Sequence, residues 1–245
     1  MLAEGLQPRG SHFRYPPEMS PERTIYQSLV HWLRPHKTIP ITPWRAAHRW
    51  DLAPLRFLIL IVGLALFGAG EAFLVQSHIG NSPWVVFSQG ISMKTGLSLG
   101  WSTFFISCAV LLLWIPLKER PGFGTILNII VIAAFLQVCV DRLPMQHHFL
   151  PGLIFALIGI ACVGVASALY ITCGLGPGPR DGLMTGLHLK TGIRVGRVRL
   201  AIEAIVLLVG GLLGGRIGVG TALFALLIGQ AFAISAGILA RLTRQ

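Results

Sequence analysis

Among the 245 residues, the run from Cys173 to Met184, CGLGPGPRDGLM, has the residue types and spacing best suited to binding chemistry. Gly176 and Gly178, with Gly174, let backbone approach a ligand closely, and Pro179 suits the first turn of a helix. A helix that starts there carries Arg180 and Asp181 in that first turn. Free N–H groups and the positive end of the helix dipole make such a terminus an anion site. Arg180 adds a two-pronged donor for carboxylate or phosphate. The plainer reading of the same residues is a shaped loop, in which Asp181 caps the helix and Arg180 merely helps orient the chain.

Two more carboxylates fall inside apolar runs, Glu71 and Glu203. An ionisable group in a membrane span is a functional candidate by default, because burying it unpaired is costly. Glu203 follows Arg199 by four residues, so the two share a helix face and can pair, with Arg194 and Arg197 close by. They read as a gate or as a satisfied ion pair at the membrane edge. Glu71 has no charged neighbour in sequence, which makes it either a coupling group for a proton or cation or a wet position near the outer face. His147 and His148 are too few to specify a metal, and no Ser/His pair stands out in the spans. The expectation is therefore no catalytic set, no metal and no cofactor.

These residues sit in a chain built for lipid. Apolar residues make up 53% of it and charged ones 12%, with a mean hydropathy of +0.71, where a water-soluble domain carries about 25% charged residues. That excludes a soluble enzyme. The four cysteines lie in or beside apolar runs without metal-ligand spacing, which excludes a disulfide-stapled secreted fold. The net charge of +11 sits mainly between apolar runs, and no nucleic-acid-binding motif accompanies it, so no nucleic-acid partner is expected. Residues 1–53 form a basic, proline-rich zone read as a largely unfolded arm, within which 25–34 have the spacing of a surface-lying helix.

Windows of about 20 residues mark six spans: 55–75, 100–117, 122–140, 149–172, 198–214 and 218–240. With both termini cytoplasmic, 17 of the 20 Lys and Arg lie inside, and Lys94, Arg142 and Arg216 lie outside. Residues 54–148 and 149–245 repeat each other at a fixed offset of 96 residues, as from Lys94 to Lys190. Gly80, Pro83 and Gly90 match Gly176, Pro179 and Gly186; Arg120, Gly122, Gly124 and Thr125 match Arg216, Gly218, Gly220 and Thr221. Two merely greasy segments would align leucines, not lysine, arginine, proline and glycine. Three spans per half is an odd number, so the second copy is expected upside down relative to the first, a recurring plan of secondary transporters. Pro83–Met93 and Pro179–Leu189 are expected as short half-helices, whereas full crossings would give eight spans, parallel repeats and a charge split of 16 to four. Trp84, Trp101 and Trp114 suit interfacial belts, and the GxxxG-like spacing of Gly210, Gly211, Gly214 and Gly215 suits close helix packing.

Residues 174–184, Lys190-Thr191-Gly192, Arg197 and Arg199 with Glu203, and Gly218 to Thr221 together resemble the YczE/YyaS/YitT group of bacterial integral membrane proteins, nearest its YczE branch. The resemblance spans about 55–240 and leaves out the arm, for which Met19 is an alternative start. It implies a multi-pass protein of the bacterial cytoplasmic membrane without the soluble C-terminal domain of YitT-type members, and it supplies no substrate. The leading expectation is an all-α polytopic transporter for an anionic or zwitterionic solute, with the bilayer and that solute as partners and a pairing of two copies left open. The rival is a non-transporting accessory protein that acts through a protein partner. A cavity reached by Arg180 favours the first, and a solid bundle with Arg180 facing the cytoplasm favours the second. The six- and eight-crossing counts separate experimentally. Reporter fusions in 118–121 should report the cytoplasm and those in 141–148 the outside; the reverse in both would establish eight crossings.

Overall fold

Proline and glycine punctuate this chain, and the helices start and stop where they stand. The computed structural model describes residues 39–243, and every regular element among them is a helix. In order these are α1 (Pro54–Ser77), α2 (Pro83–Thr95), α3 (Leu99–Leu112), α4 (Trp114–Leu117), α5 (Phe123–Arg142), α6 (Phe149–Thr172), α7 (Pro179–Thr191), α8 (Val195–Leu212) and α9 (Val219–Leu242). Proline stands in the first turn of α1, α2 and α7, where its missing N–H costs nothing. The short α4 continues α3 after a break at Leu113, beside Pro116, which cannot donate to the preceding turn.

Five elements are long and apolar enough to cross a membrane: α1, α3 with α4, α5, α6 and α9. The chain is thus a multi-pass membrane protein. The sixth expected span, α8, is 18 residues long but carries Arg197, Arg199 and Glu203, so six crossings do not follow from length and composition. The half-helices α2 and α7 have 13 residues each. At about 1.5 Å per residue they cover about 20 Å, short of a hydrocarbon core of about 30 Å. Both stop on a glycine in the left-handed region, Gly96 at φ +74° and Gly192 at φ +72°, with the repeated lysine, Lys94 or Lys190, in the last turn. The recurring Lys-Thr-Gly is therefore a helix stop, its cation placed against the negative end of the dipole.

The centre of the bundle is α1, which packs mainly on α6 and α5, while α9 lies on α6 and α2 on α8. Gly70 and Gly159 face each other across the α1–α6 contact, so close that a Cβ on Gly159 would lie 2.6 Å from the Gly70 carbonyl. Small residues drive such packing in lipid, where apolar burial alone discriminates little. Gly210 and Gly215 do the same for α8 against α2.

The starts of α2, α3 and α5 precede those of α7, α8 and α9 by the same 96 residues, and the contacts follow that offset. The loop before α2 bonds the start of α9, Gly220 N–H to Ile79 O at 2.8 Å, and the loop before α7 bonds the start of α5, Gly124 N–H to Leu175 O at 2.9 Å. Gly80 at φ +126° and Gly176 at φ +111° make both approaches possible. A Cβ on either would come within 2.8 Å of a threonine hydroxyl, Thr221 or Thr125. Arg120 and Arg216 flank these junctions: the Arg120 carbonyl accepts from the Arg49 guanidinium, and the Arg216 backbone N–H donates to Gln89 Oε1 at 2.8 Å.

Two expectations need correction. The end of the arm is not unfolded: Thr42 Oγ1 donates to Thr172 O at 3.2 Å, Ala46 N–H to Cys173 O at 2.9 Å, and Arg56 holds Asp51 at 2.8 Å. The carbonyls at the C-terminal end of α6, which have no acceptor role within the helix, bind this strap. The segment 25–34 lies outside the described residues. Of the three tryptophans, only Trp101 is exposed; Trp84 and Trp114 are buried, with Trp114 Nε1 donating to Pro179 O at 2.9 Å.

Trp114 occupies the space that Gly182 leaves open, since a Cβ there would land inside its indole ring. Gly182→Leu should therefore destabilise by about 1–3 kcal/mol, read as a lower melting temperature in detergent, while Thr185→Ala on the exposed face of α7 leaves it nearly unchanged. At the opposite side of the bundle His78 contacts the Arg216 guanidinium, with the His147 ring 6.5 Å away. Burial first, then Arg216 and His147, hold its imidazole below the usual 6.5. A depressed histidine costs nothing above 6.5 and destabilises as the pH falls from there through its folded value. The melting temperature of the parent should drop more between pH 7.5 and 5 than that of His78→Asn, by a small margin because the pair is largely exposed.

Candidate functional site

The half-helices α2 and α7 both begin at one cavity of about 200 Å³ inside the bundle. Its walls come from both halves of the chain at equivalent positions. Phe67, Glu71, Ser82, Trp84, Thr103, Ser107, Asn128 and Ile132 line it, and so do Val163, Ser167, Gly178, Arg180, Arg199, Glu203, Phe224 and Ile228, each 96 residues further on. The scaffold is matched and the chemistry is not: one half supplies hydroxyls, an amide, an indole and Glu71, the other two guanidinium groups and Glu203.

Arg180 stands in the first turn of α7 with its guanidinium carbon 5.0 Å from the ring centre of Trp84, its counterpart on α2. The indole face offers the cation a favourable quadrupole without using any of its N–H donors. No described residue accepts a hydrogen bond from those donors, although the charges of Glu71, Asp181 and Glu203 all act on them. Asp181 does not cap its helix; its Oδ2 accepts from Tyr170 OH at 2.6 Å. Glu71 is no wet group near the outer face but is 2% exposed, with its Oε2 accepting from Ser82 Oγ at 2.7 Å. Arg199 and Glu203 pair at 2.8 Å as their spacing requires, and side-chain exposures of 50% and 26% put them at the rim. Two buried polar atoms on the lining, Trp84 Nε1 and Thr103 Oγ1, have no partner among the described residues.

The structure thus brings together Arg180, Asp181, Glu71, Arg199, Glu203 and Gly178, far apart in sequence. Pro179 does not line the cavity; its carbonyl accepts from Trp114 behind it, and Gly176 shapes the loop that precedes it. Lys94, Lys190, Arg120 and Arg216 stay away from it, at exposed helix ends and loops. No group of three metal-binding side chains occurs among the described residues. Sequence reasoning missed Tyr170, Trp84, Thr103, Ser107, Ser167 and Asn128. The offset of 96 carried a signal for Thr103 and Ser107, which are the counterparts of Arg199 and Glu203. Tyr170 is the one tyrosine beyond the arm.

Comparison with known proteins places the chain in a family. An uncharacterised protein of Haemophilus influenzae is 46% identical over 206 residues, 84% of this chain and 94% of that one. The uncharacterised membrane protein YczE of Bacillus subtilis is 32% identical over 177 residues, covering 71% of this chain and 82% of that protein. The Bacillus subtilis protein YyaS is 23% identical over 180 residues, 72% and 90% of the two chains. No solved structure matches the chain. With residues 54–236 matching the model of DUF6198, described as a family of unknown function, the chain belongs to that family and to its YczE-like group.

Proposed function

We propose that the protein is a small transporter of the bacterial cytoplasmic membrane for a zwitterionic or anionic solute, with both termini cytoplasmic and no enzymatic activity. The observation that carries this reading is the cavity lined by residues at the repeat offset, with the Arg180 guanidinium inside it bonded to no described residue. The two halves act as inverted copies of three spans and a half-helix, α8 completing the second despite its charges. In that arrangement both half-helix starts aim their positive ends at the solute, as in transporters built from broken helices. The solute sits between the halves, and rocking one half against the other exposes it first to one side and then to the other. Arg199 and Glu203 form the gate at the cytoplasmic rim, and Glu71 is the coupling group, held by Ser82 from the α2 side. The cavity weighs against the accessory reading, which calls for a solid bundle.

Access can be tested without knowing the solute. Ser167 lines the cavity and makes no hydrogen bond with a described residue. In a chain with Cys108, Cys139 and Cys162 replaced by alanine and the buried Cys173 kept, Ser167→Cys should react with a membrane-impermeant thiol reagent in both right-side-out and inside-out vesicles. Arg199→Ala should speed labelling from the cytoplasmic side. Labelling from one side only would remove alternating access and leave an accessory protein.

A further inference from the structure

The balance of charge in the cavity is informative beyond its shape. Two guanidinium groups, Arg180 and Arg199, face three carboxyl groups, Glu71, Asp181 and Glu203. Arg199 gives its Nε–H to Glu203 and lies half-exposed at the rim, so Arg180 is the cation inside the cavity with none of its donors bonded to a described residue. Each carboxyl group has one oxygen bonded within the protein: Glu71 Oε2 to Ser82, Asp181 Oδ2 to Tyr170, Glu203 Oε1 to Arg199. The second oxygen of each makes no hydrogen bond with a described residue. The site therefore presents free acceptors and a free planar donor within one enclosure of about 200 Å³.

A simple anion would satisfy Arg180 and add its charge to three carboxylates, in surroundings where uncompensated charge is expensive. A simple cation would balance the charge count but leave every Arg180 donor without an acceptor. A molecule with both groups leaves the charge of the site unchanged and meets both sets. The rest of the wall is apolar, with Phe67, Ile129, Ile132 and Phe224 lining it. The volume is below the roughly 300–1,000 Å³ of drug-sized pockets, which limits the solute to a small metabolite.

We infer that the solute is a zwitterion carrying an ammonium and a carboxylate beside an apolar side group, as in an apolar amino acid. Arg180 takes its carboxylate as a two-pronged pair, and the free oxygens of Asp181 and Glu71 take its ammonium. Tyr170 and Ser82 hold those two carboxylates in place by using their other oxygens. This assignment rests on the reading of the cavity as a solute site.

The full chain, purified in detergent, would be tested by thermal shift against leucine, isoleucine, valine, methionine and phenylalanine. Each is paired with the acid lacking its amine and the amine lacking its carboxylate, as 4-methylpentanoate and 3-methylbutylamine for leucine. At least one amino acid should raise the melting temperature with dose, and its two half-molecules should need about a hundredfold more for the same shift. Asp181→Asn should abolish the preference for the amino acid over the acid while leaving the acid's weak response. Should that variant fail to fold, Glu71→Gln gives the same readout. Equal stabilisation by the acid alone would overturn the zwitterion and leave a transporter of anions. No response to any compound would also overturn it, whereas labelling of position 167 from both sides would show that the transport reading survives without it.

Discussion

Everything in this protein hangs on a reciprocal exchange of backbone hydrogen bonds between its two halves. The loop leading into each half-helix is fastened to the start of the third long helix of the other half, through Ile79 and Gly220 on one side and Leu175 and Gly124 on the other. In lipid an unpaired peptide group is costly, so a break in the helical ladder survives only where another segment satisfies it. Gly80 and Gly176 hold positive φ at these junctions because any side chain would also collide with Thr221 or Thr125. The two short helices are thereby forced to begin at the same place, in the middle of the bundle. The cavity lies where both begin.

With the backbone matched, the difference between the halves lies in side chains. Trp84 and Arg180 occupy equivalent places and touch, indole face to guanidinium. Thr103 and Ser107 stand where the other half has Arg199 and Glu203, and Ser167 stands where the first half has Glu71. A symmetric set of arginines would repel itself in so small a space. Substituting neutral partners on one side keeps the frame and leaves a single unbonded cation among carboxyl groups that are each half satisfied. Tyr170 and Ser82 each bond one oxygen of Asp181 and Glu71, and neither carboxyl group bonds Arg180.

The residues that do not reach the cavity have structural reasons for recurring. Lys94 and Lys190 close the half-helices beside Gly96 and Gly192, which accounts for a positive charge at that position in both copies whatever side of the membrane it faces. The Gly-x-Gly-Thr runs at 122–125 and 218–221 let a neighbouring loop lie on a helix start, with the threonine hydroxyl accepting from the first glycine N–H, at 3.1 Å for Thr125 and 3.3 Å for Thr221. His78 and Arg216 fasten one surface of the bundle, and the strap from Thr42 to Asp51 fastens another.

The amino-acid sequence by itself determined whatever is local. The membrane class, the helix limits to within about three residues, the two half-helices and the Arg199–Glu203 pair all follow from hydropathy, proline and glycine punctuation, and helical spacing. The duplication told in advance which residues correspond, though not that corresponding residues would line one cavity. Only the tertiary structure decided that Trp84 and Trp114 are buried, that Asp181 bonds Tyr170 and not its own helix end, that Glu71 is enclosed, and that residues 39–53 fold onto the bundle. The physical reason is that lipid-facing and protein-facing surfaces of a membrane helix are equally apolar. The pattern that reveals the inner face of a soluble helix is then nearly silent, and close packing and buried hydrogen bonds choose which side chains meet.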